Sequence, residues 1–144
     1  MSDGYAARGT TRQATRVAEI EASGAQAAVA DPNRLGTLLP EIEGLAAICW
    51  LMGSAVGEPE LIAALHGPRL ESLLEKLVDT PVRGFVYEAG GTVQRTRLDA
   101  GAEIASEAGE RWRVPVQVVA QDPADHATWL GAMTAAVARV LAGG

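Results

Sequence analysis

The sequence has few of the residues that build disulfide or metal-held frameworks. It contains one cysteine, Cys49, and two histidines, His66 and His126. A single cysteine excludes an internal disulfide, and so few soft ligands exclude a cysteine-rich metal site. Proteins without disulfides are typical of reducing compartments, so we predict a cytoplasmic protein.

Long apolar runs and positive charge are also scarce. No run approaches the roughly 18 apolar residues of a membrane-spanning helix, and residues 1–30 show no apolar core of a signal peptide. The formal net charge is −6, which argues against nucleic acid or an anionic membrane surface as the main partner. We therefore predict neither a membrane nor a nucleic-acid partner.

The residues that are present are those of a folded domain. The chain has 144 residues, of which 48% are hydrophobic, enough for one domain with one core. The longest apolar run is 45–52, and it ends at Gly53. An uninterrupted run of this length is typical of a parallel strand with helices on both faces, so we predict that 45–52 is an interior strand.

Turn residues and apolar periodicity predict an alternation of strands and helices along the chain. Pro40 and Gly67-Pro68 interrupt two of the helical stretches. The alternation predicts a single α/β domain over 1–144, with a mostly parallel sheet and right-handed crossovers. The predicted strands are 5–10, 25–30, 45–52, 82–88 and 115–120; the helices are 13–22, 35–42, 59–78, 100–110 and 126–141, with a Gly-rich loop at 89–99.

Several short motifs occur at strand ends in a recognisable order. They are Arg8-Gly9-Thr10-Thr11-Arg12, Ala30-Asp31, Gly53 and the strand Val82 to Tyr87 (VRGFVY). In this order and spacing, residues 5–89 resemble the extended and atypical short-chain dehydrogenase/reductase group, which contains nucleotide-sugar-epimerase-like proteins. The resemblance implies a three-layer Rossmann-like fold and a nucleotide-binding ancestry.

Two family features are missing from the chain. The family begins with a strand and a G-x-x-G-x-x-G turn that receives the cofactor pyrophosphate, and the chain lacks this motif. It also lacks the catalytic Tyr-x-x-x-Lys pair, because Ser72 stands four residues before its only lysine, Lys76. Glu88-Ala89 follows the fifth-strand motif where the family has a serine. The resemblance therefore implies a degenerate Rossmann-like domain, truncated at its N-terminus and without catalytic residues.

The first strand of the family lies at the centre of the doubly wound sheet. Three arrangements could compensate for its absence: residues 5–10 pair with 45–52, a partner chain fills the gap, or the missing strand precedes this chain in a longer protein. Because an open central edge invites pairing, we favour sheet closure or a homo-oligomer.

The resemblance implies a cofactor-binding corner at Arg8, Thr11 and Arg12. Guanidinium groups match phosphate geometry, and the corresponding corner of the family accepts the 2′-phosphate of NADP. The alternative is a solvated surface that also includes Arg16.

Two further strand ends complete the candidate cofactor-binding set. Asp31 either contacts adenine or caps the following helix. Gly53 and Ser54 follow the main strand, where glycine would let the backbone approach a nucleotide; the alternative is a simple strand-ending turn. NADP is the first candidate ligand.

For the other reactive side chains we predict structural roles rather than catalytic or ligand-binding ones. We predict that Cys49 is a buried, inert thiol, and that Tyr87-Glu88 is a strand end with a surface carboxylate rather than an acid–base pair. Asp125 caps the last helix, and no metal site is predicted. The basic residues in 95–97 and 111–113 are interpreted as scattered surface charge.

We therefore expect a non-catalytic NAD(P)-binding-type domain that acts through nucleotide binding or oligomer contacts. The alternatives are an NAD(P)-dependent epimerase or reductase whose cofactor loop lies outside this chain, and an interaction subunit without a small ligand.

Overall fold

The strands of the described residues form two parallel sheets. The computed structural model describes residues 8–11, 14–22, 26–42 and 44–142. The chain divides into two compact units, with bounds Met1–Glu43 and Gly44–Gly144. Helices alternate with parallel strands in both units, which confirms the predicted α/β class. The single domain over 1–144 stays a prediction.

The first unit contains a two-stranded parallel sheet. Strand β1 pairs with β2 so that Arg8 lies opposite Gln26 and Thr11 opposite Val29. Pro40 lies where an α-helical turn gives way to a 3-10 turn, because proline removes a backbone donor. The elements are β1 (Arg8–Thr11), a 3-10 turn (Ala14–Arg16), α1 (Val17–Ala22), β2 (Gln26–Val29), α2 (Leu35–Leu38) and a second 3-10 turn (Leu39–Ile42).

The second unit contains a three-stranded sheet in the order β3-β4-β5, with all strands parallel. Its elements are β3 (Ala47–Trp50), α3 (Pro59–Leu65), α4 (Pro68–Leu77), β4 (Gly84–Glu88), α5 (Arg95–Trp112), β5 (Val116–Val119) and α6 (His126–Leu141). Pro59 and Pro68 each lie in the first turn of a helix, where the missing N–H has no intrahelical acceptor. The predicted helix break at Gly67-Pro68 is therefore confirmed.

The central strand of this sheet is β4, and all five of its residues are buried. The segment 45–52 contains a strand, Ala47–Trp50, but this strand β3 lies at one edge of the sheet formed by the described strands. The prediction that it is an interior strand covered on both faces is therefore wrong. Cys49 is exposed and Leu51 is 45% exposed, whereas Tyr87 of β4 is 0% exposed.

Helices cover both faces of β4. Val86 packs on one face with Val119 and with Met133, Ala136 and Val140 of α6. Side chains alternate along a strand, so Tyr87 points to the opposite face, where its hydroxyl lies against Gly101 of α5. The second unit therefore has three layers, helix, sheet and helix.

The stretch 95–99 is helical, so the predicted loop over 89–99 extends too far. Helix α5 begins at Arg95, directly after Gln94, which makes no side-chain capping bond. The glycines at 90 and 91 obscure this start, but Arg95 and Asp99 are spaced as an i,i+4 ion pair.

No helix in the described ranges is long and apolar enough to cross a membrane.

Two glycines provide a matched test of the packing between β4 and α6. A Cβ on Gly84 would overlap Val140, with Cγ2 at 2.7 Å, whereas a Cβ on Gly131 of α6 meets nothing within 4 Å. We expect Gly84→Ala to lower the free energy of unfolding by about 1–3 kcal/mol through overpacking. Gly131→Ala should raise it by up to about 1 kcal/mol through helix propensity. Urea unfolding of both variants checks this, and equal effects would contradict the packing described.

Candidate functional site

The carboxyl ends of β3, β4 and β5 meet at one edge of the second unit's sheet. Because the strands are parallel and paired in register, the residues that follow them are neighbours. We call this region, residues 51–54, 88–92 and 119–122, the carboxyl edge. It holds Gly53 and Ser54 of the predicted cofactor-binding set.

A buried carboxylate connects the parts of the carboxyl edge. Glu88 is 4% exposed. Its Oε1 accepts the backbone N–H of Gly53 (2.8 Å), and its Oε2 accepts the indole N–H of Trp129 on α6 (2.7 Å). Burial raises the pKa of Glu88, and the two hydrogen bonds oppose that shift. The expectation of a surface carboxylate is therefore wrong, because Glu88 ties β3 and α6 to β4.

The glycines of the carboxyl edge allow its loops to touch backbone to backbone. A Cβ on Gly53 would overlap the carbonyl oxygen of Gly90, and a Cβ on Gly90 would overlap that of Gln121. Gly91 has a φ of +134°, a conformation that favours glycine. The carbonyl of Gly53 accepts the N–H of Val93 (2.9 Å). Gly53 is therefore required by loop packing, whether or not a nucleotide binds.

A buried histidine and tyrosine lie beneath the same edge. Nε2 of His66 is 2.9 Å from the carbonyl oxygen of Met52, and Nδ1 is hydrogen-bonded to the hydroxyl of Tyr87. Since a carbonyl only accepts, Nε2 carries the proton and Nδ1 accepts from the phenol. Burial lowers the pKa of His66 and raises that of Tyr87. Both groups are therefore neutral and mutually satisfied.

A polar rim borders the carboxyl edge on its solvent side. The hydroxyl oxygen of Ser54 accepts the N–H of Thr92 (3.3 Å). Arg95 donates to the carbonyl of Ala89 (2.8 Å) and pairs with Asp99 at 3.6 Å on the surface. We define the polar rim as the exposed residues Ser54, Thr92 and Arg95, together with the half-buried Arg97, which acts electrostatically on His66 beneath the same edge.

The arginine corner predicted from the sequence falls in the first unit. The guanidinium of Arg8 donates to the carbonyl of Glu41 (2.7 Å) and to Oε1 of Gln26 (3.3 Å), so its nitrogens already serve structural bonds. Thr11 is the last residue of β1. Arg12 lies outside the described residues.

Asp31 forms a turn and does not cap α2. Its Oδ1 accepts the N–H of Asn33 (2.9 Å), and its own N–H donates to Oγ1 of Thr37 (2.8 Å). The capping position of α2 is Arg34, which makes no side-chain capping bond. The capping prediction is therefore wrong, because the Asp-Pro-Asn turn uses the carboxylate before the helix begins. A role for Arg8, Thr11, Arg12 and Asp31 in cofactor binding stays a prediction.

The other reactive residues considered from the sequence lie outside the ranges that define the carboxyl edge. Desolvation raises the pKa of the Cys49 thiol to about 11, although the residue is exposed at the sheet edge rather than buried as predicted. His126 stacks on Trp129 with ring centroids 6.0 Å apart. Asp125 occupies the capping position of α6, as predicted, but its side chain makes no capping hydrogen bond. The described residues contain no group of three potential metal ligands.

Sequence reasoning missed the two hydrogen-bonded groups that organise the carboxyl edge. The only signals for Glu88 were a carboxylate closing a strongly apolar strand and a tryptophan in a later helix. Neither signal reveals that the indole and the carboxylate meet, because they are 41 positions apart.

No protein-family model and no curated protein matches the chain.

Replacing Glu88 by Gln should destabilise the fold. Glutamine has one acceptor oxygen, so one of the two buried donors would lose its partner, at a cost of about 1–3 kcal/mol. The raised pKa means that the native state holds the Glu88 proton more tightly than the unfolded chain. The contribution of Glu88 is thus largest below pH 4.5, its ordinary pKa, and declines as the pH rises through the raised value.

Chemical denaturation of the wild type and Glu88→Gln at acidic and alkaline pH measures this decline. The difference between the two proteins should be larger at the acidic pH. Glu103→Gln, at an exposed carboxylate of α5, is the control and should change stability by less than about 0.5 kcal/mol. An unchanged stability in Glu88→Gln would contradict the bridging role.

Cys49 should react slowly with thiol reagents despite its exposure. With a pKa of about 11, its thiolate fraction at pH 8 is roughly a hundredfold below that of an ordinary thiol. Alkylation by iodoacetamide, followed by mass spectrometry from pH 7 to 10, should show a rate that still rises at pH 10. A rate that levels off near pH 9 would refute the prediction.

Proposed function

We propose that the chain is a non-catalytic binding domain, a degenerate relative of the short-chain dehydrogenase/reductase group, that takes a nucleotide at its carboxyl edge. The observation that supports this is the meeting of three parallel strand ends beside the polar rim. In open α/β sheets, ligands lie beyond the carboxyl ends of the strands. Ser54 and Thr92 offer neutral polar groups there, and Arg97 offers a positive charge.

The state of the acid–base groups favours binding over catalysis. A general acid or base must reach the proton that it transfers, directly or through one water. Glu88 bonds two protein donors through its two oxygens, and His66 uses both ring nitrogens. Tyr87 is 0% exposed and donates to His66. Each group would have to break an internal bond before it met a substrate.

NADP remains the first candidate ligand because the family resemblance implies it. The described residues fit only part of it, since a pyrophosphate needs several converging N–H donors. The N–H of Gly53 is already bonded to Glu88, and the backbones of Gly53 and Gly90 are in contact. The fit therefore depends on a phosphate monoester, such as the 2′-phosphate, meeting the guanidinium of Arg97.

Ligand titration tests this proposal. We expect NADP to raise the unfolding midpoint and NAD to raise it less, because a ligand that prefers the native state stabilises it. Arg97→Gln should weaken NADP binding at least about tenfold and abolish the difference between the two ligands. Arg139→Gln, at an exposed position of α6, is the matched control. The absence of any shift with millimolar NADP would reject nucleotide binding.

The free side of β3 favours a second candidate, an interaction subunit that forms a homo-oligomer. Among the described strands, β3 is paired only with β4, and Cys49 and Leu51 expose apolar surface near its other side. The strand contains no charge or proline of the kind that protects sheet edges. Light scattering after gel filtration tests this candidate: Cys49→Lys should reduce the oligomer, and a monomeric wild type at high concentration would exclude it.

A further inference from the structure

The junction between α3 and α4 is attached to the sheet by two consecutive residues. The carbonyl of Leu65 accepts the indole N–H of Trp50 (3.0 Å). The next residue, His66, bonds the carbonyl of Met52 through Nε2 and the hydroxyl of Tyr87 through Nδ1. His66 is 2% exposed, so one imidazole joins the end of β3, the helix junction and β4 in a site from which water is largely excluded.

This arrangement requires the neutral imidazole. Nε2 must donate to a carbonyl that can only accept, so Nδ1 must be the unprotonated acceptor of the Tyr87 hydroxyl. A proton added at Nδ1 would face the phenol hydrogen. Tyr87 would then have to stop donating to His66, while its hydroxyl is confined against Gly101 of α5. Protonation therefore reverses the hydrogen bond between His66 and Tyr87 and takes from the phenol hydrogen the acceptor that it has in the neutral pair.

The charges around the pair do not remove this conflict. The guanidinium of Arg97 on α5 disfavours a positive His66, and burial acts in the same direction. Asp99 on α5 and Glu88 on β4 act electrostatically on Tyr87. Strand β3 has no charged residue, and the charged side chains of α3 and the first turn of α4, Glu58, Glu60, Arg69 and Glu71, are exposed.

We propose that His66 is an acid-sensitive latch, whose protonation releases the loop 52–57 and the α3–α4 junction from β4. The loop carries Gly53 and Ser54, so its release would open the carboxyl edge. The latch acts without a ligand, and it stands whether or not a nucleotide binds there. The direction of the pH dependence follows from this arrangement. His66 accepts a proton more readily in the opened segment than in the closed one, so opening increases as the pH falls below the ordinary histidine pKa of 6.5.

Hydrogen–deuterium exchange at pH 7 and pH 5, corrected for the intrinsic pH dependence, measures the opening. Between these values we expect the opening constant of peptides within residues 50–67 to rise by up to about 25-fold, because His66 has its ordinary pKa of 6.5 in the open state and stays neutral in the closed state. Peptides from the centres of α5 and α6 should not change.

Two variants isolate His66. In His66→Gln the amide can donate to Met52 and accept from Tyr87 but cannot titrate, so the acid response should disappear. His126→Gln, at an exposed histidine, should keep the response in full. An acid response of normal size in His66→Gln could not come from His66 and would overturn the proposal. Glu88 does not imitate the latch, because its raised pKa means that acid favours the closed state at that residue.

Titration of the histidine ring protons by NMR decides the matter if His66→Gln does not fold. In the wild type, the His66 resonance should titrate below the ordinary histidine value of 6.5, together with the exchange of residues 50–67. A His66 resonance that titrates at or above that value, or that titrates with no change in exchange, would also overturn the latch.

Discussion

The second unit depends on the burial of a carboxylate among apolar side chains. Isolated, a buried carboxylate would be strongly destabilising. Glu88 is tolerated at the end of β4 because each oxygen accepts one hydrogen bond, from Gly53 and from Trp129. One donor follows the end of β3 and the other lies on α6. The two hydrogen bonds of this one side chain therefore fix the relative positions of β3, β4 and α6.

His66 and Tyr87 apply the same constraint on the opposite face of β4. Side chains alternate along the strand, so Glu88 faces α6 while Tyr87 faces α5 and the α3–α4 junction. On both faces, a polar atom of β4 bonds to a group near the end of β3 or held by it. Because β3 has a strand partner on only one side within the described sheet, these side-chain bonds supplement the ladder that holds it.

The same bonds limit the chemistry of the carboxyl edge. In an enzyme, a carboxylate, an imidazole and a phenol gathered at strand ends would form a plausible set of acids and bases. Here their donors and acceptors are directed at one another and at the backbone. What faces solvent is the polar rim, whose hydroxyls and guanidinium groups suit binding better than proton transfer.

Local rules predicted most of the elements. The apolar runs, the prolines at 59 and 68 and the Gly67 turn located the strands and helices of both units, because helix and strand periods and helix starts depend on neighbouring residues. The start of α5 was misplaced by five residues relative to the predicted helix 100–110, since the glycines at 90 and 91 resemble a longer loop.

The sequence by itself determined the α/β class, the parallel alternation and the lack of a disulfide framework, since these follow from composition and short-range pattern. Only the tertiary structure decided that β4 rather than β3 is central, that Glu88 is buried, and that His66 meets Tyr87. Those facts depend on groups 14 to 41 positions apart along the chain. The longest apolar run contains β3, which is why the sequence predicts β3 as the interior strand. A strand's place in a sheet is set instead by which neighbours satisfy its polar atoms and cover its faces.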